Sequence, residues 1–330
     1  MTAFVCVSRP HVQPARTRVV SLGFGFMNSL NKHVLSLLCL TGGLFAQDNA
    51  QPSAASWWEG IAVVATPAAG RVENISRTSD GPTRKDATTY ELAVNAGLNR
   101  QVAREWLLGV GIEANTFLEP KFDRNNRSSF GPRASLQRKF GLGPLAPILQ
   151  VDVGYFHQAT RYGSARGETA EAGLRVGKRL NSFLKVGAFG RWLEHAARGA
   201  VFDLTQRTAG LDATWDLADR WSLSGSVSWL DGHVVTHAAP AVWAKALAGD
   251  LGPAVAAYYK TVPREVTELY GPGWFSYITE ARADLWSLAL AYRVSESVAV
   301  EAHAGSTLVV NEVDVRYPVK SWGISLSSRF

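Results

Sequence analysis

Lys320-Ser-Trp-Gly-Ile-Ser-Leu-Ser-Ser-Arg-Phe330 ends the chain, and its pattern repeats every second residue. Trp322, Ile324, Leu326 and Phe330 share one parity, while Ser321, Gly323, Ser325, Ser327 and Arg329 share the other. Successive side chains of a strand point to opposite faces, so this segment has one oily face and one small or polar face. A water-soluble protein would turn the oily face into a core. Here the pattern recurs in segments of about ten residues, the length that crosses a bilayer as a tilted strand. The chain is therefore expected to be all-β: a transmembrane antiparallel β-barrel of about 12 strands with long external loops, which this last strand closes.

Working back through the chain, strand-like segments are expected at Trp58–Pro67, Tyr90–Arg100, Trp106–Phe117, Phe130–Phe140, Ile148–His157 and Thr169–Arg179, then at Phe183–Leu193, Thr208–Leu217, Trp221–Trp229, Ala283–Tyr292 and Val298–Gly305. The cleanest is Trp221–Trp229, where Trp221, Leu223, Val227 and Trp229 alternate with Ser222, Ser224, Ser226 and Ser228. A helix would scatter those serines around its surface. Connections after the odd-numbered segments are mostly longer than those after the even-numbered ones, as expected for external loops opposed to short periplasmic turns. Trp106, Trp221, Tyr292 and Phe330 then fall near the periplasmic end on the oily parity, with Trp192 and Trp229 near the other. Together with Trp322 these are the candidate membrane-belt aromatics.

One connection, Asp231 to Ala281, is exceptional. It contains two helix-like pieces, Pro240–Leu247 and Pro263–Tyr270, each with proline at a plausible first helical position, and Gly271 as a C-cap of the second. Their apolar faces, Val242, Trp243 and Leu247 in one and Val266, Leu269 and Tyr270 in the other, need a surface to cover them. The barrel rim and upper lumen are the nearest, so the segment is expected to gate or partly occlude the mouth. Trp274 and Phe275 are available as further anchors.

The formal charge of +6 is concentrated at the start of the chain. Arg9, Arg16, Arg18 and Lys32 lie in the first 46 residues, which contain no acid; without them 30 basic residues face 28 acidic ones. That near-balance gives no reason to expect a nucleic-acid partner. Residues 27–46 have a short positive start, an apolar stretch and small Ala46 before polar Gln47, the pattern of a signal peptide. Residues 1–26 are expected to be an upstream start extension, 47–56 a linker, and 57–330 the barrel. Cys6 and Cys39, the two cysteines, both precede the cut, which leaves no thiol chemistry.

No phosphate-binding glycine loop, metal pair at helical spacing or Gly-x-Ser-x-Gly elbow occurs, so no cofactor or metal is expected. The chemistry rests on single residues of the polar parity: Glu113, Asp152, Glu171, Arg175, Lys185, Arg191, Asp212, Glu301 and His303. Facing one another across a narrow lumen, such charges pair into a stiffening plug or form ladders that select small solutes. His303 with Ser306 or Asp152 supplies no ordered nucleophile, base and orienter, so no enzyme is expected. His157 and His303 read as single polar lumen or rim residues.

The signal segment, the alternating strands and the final Ser-Arg-Phe resemble Gram-negative outer-membrane β-barrels as a class. That resemblance implies the cell outer membrane as location, its lipid as surroundings and the barrel-assembly machinery as a partner. Trp221-Ser-Leu-Ser-Gly-Ser-Val-Ser-Trp-Leu-Asp231 and Leu288-Ala-Leu-Ala-Tyr-Arg-Val294 resemble the C-terminal half of the MipA/OmpV family, barrels associated with murein-synthesis proteins. Two functions stay open: a narrow channel for small polar or charged solutes, and a scaffold or surface-interaction barrel without transport.

Overall fold

The computed structural model describes residues 60–79, 81–240, 263–312 and 314–330. Twelve long strands form the wall. They are β1 Ile61–Glu73, β2 Ala87–Ala103, β3 Trp106–Leu118, β4 Arg127–Lys139, β5 Ile148–Thr160 and β6 Gly167–Arg179, followed by β7 Leu184–Ala197, β8 Leu204–Ala218, β9 Trp221–Ala238, β10 Phe275–Arg293, β11 Val298–Asn311 and β12 Arg316–Arg329. Each pairs antiparallel with the next, and β12 pairs with β1 from Val64 opposite Arg329 to Glu73 opposite Lys320. The sheet has no free edge, the condition that hydrocarbon surroundings impose on a spanning sheet.

Alternation decides which face is which. On β12, Trp322, Ile324, Leu326 and Phe330 are 44, 60, 40 and 78% exposed, whereas Tyr317 and Val319 on the other parity are completely buried. Leu92, Ile112, Phe130, Val153, Leu174, Leu211, Val227 and Leu288 continue the exposed oily band around the wall. An apolar band of this extent belongs against lipid rather than water. β1 begins and β12 ends at one end of the barrel, the terminal end, where the Phe330 N–H donates to Val63 O at 2.9 Å.

The strands overrun the expected segments, chiefly opposite the terminal end. β7, β9 and β11 continue to Ala197, Ala238 and Asn311, so several connections there shrink, to 161–166, 198–203 and 312–315. The physical reason lies in the outward side chains. Glu194, Arg207, Glu280 and Arg282 are exposed beyond the oily band, so polarity no longer alternates although the backbone ladder does. Pro67 does not end β1 either; the β12 side of the ladder skips from Ala65 to Ala68, which accommodates a residue without an N–H, and pairing resumes.

The exceptional connection is also shorter than its sequence suggests, running from 239 to 274, and Pro240–Leu247 falls mostly outside the described residues. Within Pro263–Tyr270 the helix is a single turn, Thr267–Tyr270. Pro263 is not its first residue, because Arg264 and Glu265 pair instead with Ser276 and Phe275. Gly271 does follow it, at φ 110°, with its N–H donating to Thr267 O. β9 changes character at Gly232, φ 135°, where a Cβ would meet Thr205 O at 2.3 Å. From Val234 to Ala238 both faces are buried while the strand stays paired with β10, Ala238 opposite Phe275.

Candidate functional site

The inward positions of β3 to β8 carry the charge. Glu113, Asp152, Glu171, Arg175, Lys185 and Arg191 are buried, and the Asp212 side chain is nearly so. The staves opposite, β9 and β10, turn small residues inward, among them Ser222, Ser224, Ser228, Ala289 and Ala291. Long guanidinium side chains on one half of the wall therefore have room above the other half. Glu301 and His303 on β11 are the exceptions in size; Glu301 is buried and His303 half-buried. Ser306 has the opposite parity to His303 on the same strand and faces outward.

A residue absent from the sequence reading, Arg133 on β4, is the hub. Its Nη2 donates to Glu171 Oε2 at 3.0 Å, its Nε lies 3.6 Å from Glu113 Oε2, and its Nη1 lies 3.9 Å from Asp152 Oδ1. Arg191 donates to the same Glu171 oxygen, and Arg175 donates to Asp212 Oδ2. A signal for Arg133 did exist: it shares parity with Ser129, Ser135 and Gln137, opposite Phe130 and Leu136. Gly131-Pro132 obscured it. At Gly131 a Cβ would meet Tyr155 O at 1.9 Å, and the β4–β5 ladder skips from Phe130 to Arg133. Chemically, three arginines and four carboxylates hold one another. Such a set stiffens the barrel, or exchanges partners with a charged solute.

Above the ladder the mouth is closed by an apolar cluster and a second polar set. Val266, Leu269, Tyr270 and Trp274 are 1, 4, 8 and 5% exposed and pack with Ile75, Ile278, Val309 and Tyr317. Burial of each such side chain contributes about 1.5–3 kcal/mol, which holds a helical turn too short to persist alone. Tyr270 Oη accepts from Asn125 Nδ2 at 3.3 Å and donates to Ile75 O at 3.2 Å. Its ring stacks edgewise on Phe122 and His237 and lies 5.3 Å from Trp274. Asn125 Nδ2 also donates to Glu119 Oε2, and Arg127 lies 3.9 Å from Glu119 and over the Phe117 ring. Burial pushes the Glu119 carboxyl up to about 7, with Arg127 opposing it. Burial likewise lowers Arg77 to about 9, and its Nη1 donates to Val235 O at 2.6 Å.

The barrel resembles a bacterial outer-membrane channel. An outer membrane channel from Pseudomonas putida F1 superposes with a TM-score of 0.54 at 10% identity, over 85% of this chain and 97% of that one. At that identity the likeness establishes the fold alone. The KdgM porin (8% identity, 81% of this chain, 99% of that one) and the NanC porin (9%, 80% and 98%) give TM-scores of only 0.39 and 0.40. No protein-family model and no curated protein matches the chain by sequence.

The remaining sequence candidates lie on the outer wall. Trp106, Trp221, Tyr292 and Phe330 cluster at the terminal end, with the Trp221 and Tyr292 rings 4.7 Å apart. Trp192, Trp229 and Trp322 stand farther toward the loop end; Trp322 is opposite Arg71 of β1. His157 faces outward at the rim, 2.6 Å from Glu168. Sequence reasoning missed Arg77, Glu119 and Arg127, because loop residues and strand ends carry no alternation to mark them.

Proposed function

We propose that this chain is an outer-membrane β-barrel whose lumen passes small polar or charged solutes once residues 263–274 are displaced from the mouth. The observation that carries the proposal is the pairing of an oily exterior with a charge-lined interior under an ordered cap. A stiff structural barrel needs the first two features but not the third. In this reading residues 27–46 export the chain, the barrel-assembly machinery inserts it, and outer-membrane lipid surrounds it. Glu113, Asp152, Glu171, Arg175, Lys185, Arg191, Asp212, Glu301 and His303 line the solute path with Arg133.

The decisive experiment replaces 239–274 by a short Gly-Ser turn and compares planar-bilayer conductance with that of the intact barrel. Heat-modifiable mobility on a gel confirms that both are folded and inserted. A rise in conductance supports gating. Equal, negligible conductance from two correctly inserted proteins rejects it. The second reading, a MipA/OmpV-like scaffold for murein-synthesis proteins without transport, draws support from the paired charges that fill the lumen, and that outcome would favour it.

A further inference from the structure

Toward the terminal end, Gln137, Gln150, Arg175 and Lys185 converge on one small cavity, with Ile148 and Gly177 completing its wall. Gln137 pairs with Gln150 across β4 and β5, and Gln150 with Arg175 across β5 and β6, so three inward side chains stand side by side at one level. Lys185 on β7 reaches the same space. The volume, ≈ 10 Å³, seats one guest of about water size.

Arg175 is 2% exposed and uses Nη2 on Asp212. Its Nε and Nη1 are buried with no hydrogen-bond acceptor among the described residues. A guanidinium can only donate, and a buried donor without an acceptor is costly. The cavity thus has two cationic side chains and two amides that can turn N–H groups toward a guest. Asp212 accepts from Arg175 Nη2 through Oδ2, and its side chain is not part of the cavity wall. A water molecule could donate to the amide oxygens but would leave the cationic charge unmatched, whereas a spherical anion accepts from every side and matches the charge.

We infer that this cavity is a binding site for one small monovalent anion of halide size. The site does not depend on whether the barrel conducts. The test uses the full mature barrel in detergent, crystallised with bromide, and its thermal unfolding in chloride against equimolar gluconate, which is too large for the cavity. The expected results are a bromide anomalous peak in contact with Arg175 and Lys185, and a saturable rise in Tm with halide alone. Lys185→Gln should weaken halide affinity by about tenfold to a hundredfold, the loss of one charge-assisted hydrogen bond. Gln150→Leu, which leaves both cations in place, should weaken it less, and keeps the test open if Lys185→Gln fails to fold. Bromide found at surface arginines and absent from the cavity is an adventitious ion only, and overturns the inference. So does a Tm rise equal in chloride and gluconate. Halide binding in a barrel that never conducts would leave this site standing while the channel reading fell.

Discussion

Tyr270→Ala should open the mouth without unfolding the wall. The Tyr270 ring is 8% exposed and packs against Phe122, His237 and Trp274, and its hydroxyl joins Asn125 to Ile75 O. Truncating a buried aromatic to alanine costs about 3–5 kcal/mol. The twelve-stranded ladder does not use this side chain, so the loss falls on the docking of residues 263–274. At about 1.4 kcal/mol per tenfold, the open population should rise by about two to three and a half orders of magnitude. Tyr270→Phe removes only the two hydroxyl bonds, at about 1 kcal/mol each, and should sit between. The assay is the frequency of openings in planar bilayers, with heat-modifiable mobility as the control for folding. Openings as rare in Tyr270→Ala as in the parent, from equally inserted protein, would refute the reasoning that these contacts hold the mouth shut.

Glu119 makes the same closure pH-dependent. Its carboxyl is raised from 4.5 to about 7 in the ordered mouth by burial, so the folded state favours the protonated form, and its stabilisation is complete below about pH 4.5 and lost as pH rises through about 7. Hydrogen-exchange protection around Thr267–Tyr270, measured relative to the intrinsic amide rate at each pH, should therefore be greater at pH 5 than at pH 8, and Glu119→Gln should remove the difference; a profile unchanged by that substitution counts against the assignment. Arg133→Gln strips the hub from Glu113, Asp152 and Glu171, and breaking a buried charge network of this kind costs about 3–5 kcal/mol; the transition from folded to unfolded gel mobility should shift to clearly lower temperature, and an unshifted transition would mean the ladder does not stiffen the barrel. Deleting Phe330 removes the backbone pair with Val63 and the exposed terminal ring; the protein should then accumulate in the periplasm or be degraded, and normal membrane levels on fractionation would contradict this.

The architecture was legible because lipid outside and polar groups inside impose a period of two. Trp221, Leu223, Val227 and Trp229 could not alternate with four serines for any other reason, and the barrel and most strand cores follow from such runs. What was not legible lies where that constraint stops. Past the oily band, Glu194 and Arg207 leave β7 and β8 without alternation, and from Val234 to Ala238 β9 is buried on both faces. The alphabet of inward residues could be listed from parity, but not which of them meet. Arg133 reaches carboxylates on three strands, and Gln137, Gln150, Arg175 and Lys185 share one cavity, only because inter-strand register sets their heights. The latch among Tyr270, Asn125, Glu119 and Ile75 spans three separate connections. Local patterning thus determined that the chain makes a membrane barrel and which side chains turn inward, since each strand records its own surroundings. Only the tertiary structure decided which charges pair and what closes the mouth, because contacts between residues far apart in the chain leave no period in the sequence.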